Sequence, residues 1–469
     1  MKKSFVQKSR LYLIVLAVLI SIGALLMVAP QPSAIGFTTI DDLVAYAKIT
    51  DENIKSDTDD TIKPQFYNYY KNFIPTWRSR LQGKIIGLLT CVGLQRRPLW
   101  SPDFFKSQLN GLSALRESKG YKGDFICKIA PTLQSKIIVF GNTQGAFHSL
   151  VRDITKLKEL GIVDTSLKVT SPDHFIVFMG DVVSRSPYSM ETLSLVMSLM
   201  QANPHNVLYL KGNHETADYW QEHSLKVELQ IRAAHLSSET VPLATDVDKF
   251  FSTLPLAIYI SNATDTHQEF IRISDSGRGQ NSLLNEHRFA KFLTTKAGNK
   301  VTCLQLTEQQ NEHGEQPPVD IKVIFKGEKK RETFQPHTGL RLLPSDMGST
   351  AWTILSCPTP VYQKALNFFY DAFVILTPAA QFDDWKITLY NRNVLENKDF
   401  TASTLYLISG TQEGVRPPKT IAQQQAPSAP PTETTPQEHP SQETKPVPQQ
   451  HPLKPAFEPI ETSKKGEVA

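Results

Sequence analysis

The chain has 469 residues, is 40% hydrophobic and 20% charged, and carries a formal charge of +4. That length holds one large catalytic-size domain with additions, and the composition is ordinary for a globular protein. The small net charge, with no Lys/Arg-rich stripe interleaved with aromatics, argues against a nucleic-acid binder. Cys91, Cys127, Cys303 and Cys357 are too scattered for a zinc cluster or a disulfide framework and read as buried or idle thiols.

"MKKSFVQKSR" places Lys2, Lys3, Lys8 and Arg10 ahead of an uncharged apolar run from Leu11 to Val28. That run is near the length that spans a bilayer's hydrocarbon core. It predicts a transmembrane anchor over residues 11–28 behind a basic flank over 1–10. The basic flank puts the N-terminus in the cytoplasm and the bulk of the chain across the membrane, as a single-pass protein. Cleavage of this segment as a signal peptide, followed by secretion, is the alternative.

Residues 36–130 read as a mainly helical extension without evident chemistry. "DDLVAYAKI" suits a short helix, "PQFYNYYKNFIPTWRSRLQ" a helix beyond its proline, and "KIIGLLTCVGL" a core segment too short to span a membrane. The organised domain is predicted over 131–412. "KIIVF" (136–140), "HFIVFMG" (174–180) and "NVLYLKG" (206–212) are short, near-continuous apolar runs ending at a glycine or turn, as strands covered on both faces do. "HSLVRDITKLKELG" aligns Leu150, Ile154, Leu157 and Leu160 on one helical face and stops at Gly161. "SPYSMETLSLVMSLMQANP" predicts a second helix with Ser186 as its cap and Pro187 at its first position. Strand–loop–helix repeats define an α/β layered fold. Residues 415–469 are rich in Pro, Gln, Thr and Glu and are expected to be disordered with polyproline II character, a candidate ligand for a Pro-recognition module.

Three strand ends carry residues suited to chemistry. "LKGNHE" delivers Asn213 and His214 after a strand; an amide oxygen can ligate a hard cation and an imidazole can protonate a leaving oxygen. "FMGDVVSRS" delivers Asp181, able to bridge cations, and Arg185, able to hold a phosphate bidentately. "GNTQG" (141–145) follows the first strand. In this order and spacing the strings resemble GDxHG, GDxxDRG and GNHE of the calcineurin-like metallophosphoesterases, specifically the PPP protein phosphatases. "FFSTLPLAIYI" (250–260) and "TILSCPTPVYQ" (353–363) extend the likeness over about residues 131–400. The chain is also similar to effector phosphatases of this group that intracellular bacterial pathogens secrete. The resemblance implies a four-layer sandwich of two packed mixed β-sheets flanked by helices.

The same resemblance exposes departures. Asn142 stands where the family has its first metal-binding aspartate, Gln144 where it has a histidine ligand, and Ser184 where a carboxylate supports the catalytic histidine. Ser274 or Asp275 falls at the next histidine ligand, and Gly327 or Glu328 at the last. The expected metal set is Asp181, Asn213, Asn142 and Gln144, with Asp275 and Glu328 as substitutes if they point inward. Asp→Asn removes a charge that offsets two close dications, and three missing imidazoles remove good transition-metal donors. Any cofactor is then a weakly bound divalent cation, Mn²⁺ or Mg²⁺, or none. Two readings stay open: a pseudophosphatase whose Arg185 and His214 hold a phosphoprotein or other protein partner, and a phosphomonoesterase with a reorganised, single-metal site.

Overall fold

The structure, a computed structural model, describes residues 36–50, 100–232, 240–262, 269–275, 284–295, 300–306, 317–327, 339–346, 349–358, 370–396 and 398–413. Helix α1 (Ile40–Ile49) starts at Thr39, whose hydroxyl accepts the Asp42 N–H while the Asp42 carboxylate accepts the Thr39 N–H. It is the short helix expected at "DDLVAYAKI". Helix α2 (Pro102–Ser118) is capped by Ser101 and has its proline at the first position, where no N–H is needed.

An alternation follows: β1 (Phe125–Ile129), β2 (Lys136–Phe140), α3 (Phe147–Glu159), β3 (His174–Phe178), α4 (Ser189–Ala202) and β4 (Val207–Tyr209). Three helices come next: α5 (Ala217–Trp220), α6 (Ser224–Arg232) and α7 (Thr240–Phe251). Then come β5 (Ala257–Ser261), β6 (Glu269–Ser274), α8 (Ala290–Thr294), β7 (Val301–Gln305) and β8 (Asp320–Lys326). The remaining strands are β9 (Leu340–Asp346), β10 (Ser349–Ile354), β11 (Tyr370–Thr377), β12 (Lys386–Asn393) and β13 (Thr401–Tyr406).

The strands form two mixed sheets, one ordered β13-β12-β11-β2-β3-β4 and the other β7-β1-β5-β6-β8-β10-β9. In the first, β2, β3 and β4 run parallel, so their C-terminal ends emerge side by side. Ile137, Val139, Phe175 and Val177 point from this sheet into the inter-sheet core, where they join Ile258, Ile271, Val323 and Trp352 of the other. Their neighbours Ile138, Phe140, Ile176 and Phe178 point the opposite way, into a core shared with Leu150, Ile154, Leu157, Leu193 and Met197 of α3 and α4. That two-sided burial is why these strands read as unbroken apolar runs. Each such side chain contributes about 1.5–3 kcal/mol by leaving water. On the far side of the second sheet, Ile126, Tyr259 and Phe270 pack with Phe289 and Leu293. The layers are helices, sheet, sheet and short helical cover.

The N-terminal helices share the first helical core through Phe37, Ile40, Leu43, Trp100, Phe105 and Leu109. A buried charge network fastens them. Arg232 forks onto Glu191, with Nη1 at 2.7 Å from Oε2, and its guanidinium lies 4.8 Å over the Trp100 ring. The Tyr46 hydroxyl donates to the same Glu191 at 2.8 Å. Removing one member would strand a buried charge.

Two local expectations need correction. Helix α4 starts at Ser189 rather than at Pro187, and neither Ser186 nor its own first residue caps it; the buried Glu228 carboxylate of α6 accepts the Ser189 and Met190 N–H groups at 2.8 and 2.9 Å. A carboxylate at a helix N-terminus meets both the free N–H groups and the positive end of the dipole, and no local pattern announces a cap from another helix. Cys127 and Cys303 are not idle thiols: they sit opposite each other on antiparallel β1 and β7 and form a disulfide across 176 residues of chain. Strand register, not cysteine spacing, makes that pair. Cys357 is free and buried.

Residues 1–10, the expected anchor at 11–28 and the Pro-rich tail at 415–469 lie outside the described residues, as do "PQFYNYYKNFIPTWRSRLQ" and "KIIGLLTCVGL". Among the described residues no helix is long and apolar enough to cross a membrane.

Candidate functional site at the parallel strand tips

The three parallel strands deliver three tight turns to one edge. At the end of β2, Gly141 passes so near β10 that a Cβ there would lie 2.0 Å from the Ile354 carbonyl oxygen. Asn142 bridges Leu355 beside it. Gln144 takes a left-handed φ of 49°, and its N–H donates to the Asp181 carbonyl at 2.8 Å. At the end of β3, Gly180 and Asp181 have φ of 95° and 51°. Non-glycine residues rarely hold that conformation, and Asp181 does so because its surroundings fix it. A Cβ on Gly180 would sit 2.6 Å from Gly212 Cα, so the backbones of the second and third turns meet where only glycine fits.

Glu215 locks this arrangement. Its carboxylate accepts N–H groups from Asp181 (2.8 Å), Val182 (2.9 Å) and Gly212 (2.8 Å), together with the Tyr209 hydroxyl (2.7 Å). Burial pushes its acid form up to about 7, against the pull of those donors.

Asp181 is the centre of the cluster. Its Oδ2 accepts from Asn142 Nδ2 at 2.8 Å and its Oδ1 from the His214 backbone N–H at 3.0 Å. With the Asn213 amide nitrogen turned inward, Asn213 donates as well, at 2.9 Å to Oδ1. Asp275 does point inward: it is 4% exposed, and its Oδ2 accepts the Asn213 N–H at 2.8 Å. Burial first, then the nearby Asp275 and Glu215, hold the Asp181 acid form well above the usual carboxylate range.

His214 is buried, with ring centroids 4.7 Å from His223 and 5.7 Å from Tyr219. Its Nδ1 has no partner among the described residues, and neither does Ser184 Oγ, the atom standing at the position of the family's supporting carboxylate. Burial, helped by His223, lowers the His214 pKa to about 3, so the ring is neutral at pH 7. Arg185 is half-buried and tied by its N–H to the Gln144 carbonyl at 3.3 Å. Gln144 Oε1 is buried and without a partner among the described residues.

The structure therefore brings together Asn142, Gln144, Asp181, Asn213, His214 and Asp275, with the Arg185 backbone beside them. Glu328 lies outside the described residues; Gly327, which ends just before it, is buried. Sequence reasoning missed Glu215 as the clasp and His223 as the neighbour of His214. Glu215 was legible as the last letter of GNHE, whereas His223 carried no signal because the turn after α5 brings it back. His148 on α3 is buried, hydrogen-bonded to Thr50 Oγ1 at 2.8 Å and 5.0 Å from the Tyr188 ring.

Residues 135–373 match the family model described as calcineurin-like phosphoesterase, and the chain belongs to that family. It is 31% identical over 128 residues to the serine/threonine-protein phosphatase BSL2 of Arabidopsis thaliana, covering 27% of this chain and 12% of that one. It is 30% identical over 129 residues to the PP2A-like serine/threonine-protein phosphatase PPG1 of Candida albicans, covering 28% of this chain and 27% of the relative. The chain thus spans a small part of these relatives' lengths. Among solved structures, a Saccharomyces cerevisiae serine/threonine phosphatase with similarity to human PP5 aligns with 72% of this chain and 98% of its own, at 16% identity and a TM-score of 0.38.

The family normally works with divalent metal. Among the described residues, no group of three or more His, Cys, Asp or Glu side chains is placed to hold a metal ion. Asp181, Asp275 and Gln144 Oε1, which has no partner among the described residues, are oxygen donors, whereas Asn142 and Asn213 turn their amide nitrogens towards Asp181. Such a set suits a single hard cation and does not fit a pair, which needs more negative charge than two carboxylates supply.

Proposed function

We propose that this chain is a membrane-anchored PPP-like pseudophosphatase that binds a phosphoprotein at the strand-tip cleft. The observation that carries the reading is the hydrogen bond from Asn142 Nδ2 to Asp181 Oδ2 at 2.8 Å. The residue at the first metal-ligand position donates to the bridging carboxylate and takes the cation's place. Asp181 is satisfied by amides, and no cation-bound water is generated to attack phosphorus. His214 has lost its supporting carboxylate, so its ring is not oriented for proton delivery. What persists is recognition: a neutral imidazole N–H and the Arg185 guanidinium can hold a phosphate. The apolar segment 11–28 serves as the anchor, with 1–10 in the cytoplasm, and the tail at 415–469 engages a Pro-recognition module. The Cys127–Cys303 disulfide supports an oxidising compartment for the domain.

A second reading, a hydrolase using one hard cation, is favoured by the buried Gln144 Oε1, which has no partner among the described residues and sits on the turn whose N–H bonds the Asp181 carbonyl. In it Asp181, Asp275 and Gln144 would hold Mg²⁺ or Mn²⁺, which would supply an acidified water, and His214 would protonate the leaving oxygen. Metal content and phosphate release from p-nitrophenyl phosphate, measured with millimolar Mn²⁺ or Mg²⁺, decide between them. The pseudophosphatase shows neither, yet binds phosphopeptide in a manner weakened by Arg185→Ala. Turnover abolished by Asp181→Ala would refute it.

A further inference from the structure

A second cleft lies away from the strand tips, between α1, α3 and the chain between β12 and β13, with a volume of about 480 Å³. It shares no lining residue with the strand-tip site. Its floor follows one face of α3 from His148 to Glu159, about 16 Å at 1.5 Å per residue. Val44, Val151 and Phe400 give it apolar walls. His148, one of its lining residues, is hydrogen-bonded to Thr50 at 2.8 Å.

Its charge is unbalanced. Among the described residues, Lys48, Arg152, Lys156 and Arg392 line it with Glu159 and Asp399. Arg152 is forked onto the fully buried Asp371, at 2.6 and 3.1 Å, which sets its guanidinium in the wall. Lys156 pairs with Glu159 at 2.9 Å. Lys48 and Arg392 line the cleft with Asp399, and Arg392 is steadied by its Nε bond to the Lys398 carbonyl at 2.7 Å. Asp153 lies fully buried beside this group; burial and the neighbouring Asp371 push its acid form well up, against the pull of Arg152 and Arg392.

We propose that this cleft binds a small amphipathic anion: a phosphate or phosphonate head held by Lys48 and Arg392, with an apolar body against Val44, Val151 and Phe400. The volume is that of a small-ligand pocket, and its few polar groups beside apolar walls match how such pockets fix orientation. Guanidinium and ammonium groups together favour a multivalent oxyanion. This site is independent of the strand-tip reading.

The test titrates phenylphosphonate, which has no ester bond to hydrolyse, calorimetrically into the full chain, in wild-type and Arg185→Ala backgrounds. Binding is expected in both. Exposed Lys48→Gln, which leaves the core untouched, and Arg392→Gln should each weaken it about tenfold, and Val151→Trp should abolish it by filling the floor, with the melting temperature confirming folding. Absence of binding, or binding lost in Arg185→Ala and untouched by Lys48→Gln and Val151→Trp, overturns the proposal. Equal affinity for inorganic phosphate overturns the apolar contact, and equal affinity for benzyl alcohol overturns the anion contact.

Discussion

Replacing Asn142 by aspartate should convert a self-satisfied cluster into one that needs a cation. The wild-type amide donates to Asp181 Oδ2 at 2.8 Å. Asn142→Asp deletes a hydrogen bond to a charged acceptor, which is worth about 1.5–3 kcal/mol. It also sets a second carboxylate against one whose acid form burial already holds high. Without metal, at pH 8, the variant should lose about 2–4 kcal/mol, at about 2–4 °C in Tm per kcal/mol. With Mg²⁺ or Mn²⁺ the extra charge becomes a ligand. A cation at one hundred times its Kd restores about 2.7 kcal/mol. The assay is thermal unfolding of both proteins in EDTA and in a cation series. The variant should melt lower in EDTA and rise steeply with cation, while the wild type moves little. Equal melting in EDTA, or an equal cation response, would refute the claim that the Asn142 amide stands in for a metal.

Three further outcomes follow from the same geometry. Gly180→Ala puts a Cβ 2.6 Å from Gly212 Cα at a φ of +95°, so it should cost about 2–5 kcal/mol in urea unfolding; an unchanged midpoint would show that the turns do not touch. His214 has its folded pKa depressed to about 3 from 6.5, so the stability it contributes is present above pH 6.5 and is lost as pH falls towards 3. Relative to His214→Gln, the wild type should therefore lose about 1.4 kcal/mol per pH unit across that window, a slope that denaturant titrations at several pH values would reveal or exclude. Cys127→Ser with Cys303→Ser should lower stability by about 2–5 kcal/mol; a reductant-insensitive wild-type melt would contradict a bond between β1 and β7.

Much of the fold was legible because its signals are local. "KIIVF" and "HFIVF" are apolar throughout because β2 and β3 are covered on both sides, and Thr39 with Asp42 spells a helix start. The strand-tip residues were legible because each follows a glycine that the geometry requires: Gly141 against Ile354, Gly180 against Gly212. What stayed hidden depends on residues far apart in the chain. Glu228 caps α4 from another helix, Cys127 meets Cys303 through strand register, and His223 reaches His214 through a turn. Asp275 was one of two candidates at its position, and only the bond from the Asn213 N–H shows which of them turns inward.

Glu215 gives the GNHE string a meaning apart from chemistry. Its two oxygens gather hydrogens from two different strand ends and a tyrosine, all of them groups of the scaffold itself. The glutamate works as a rivet for the scaffold, and losing it would leave three buried amides bare whether or not any ester is ever cleaved. The hydrogen bonds alone account for that letter, so GNHE in this chain testifies to architecture and is silent on turnover.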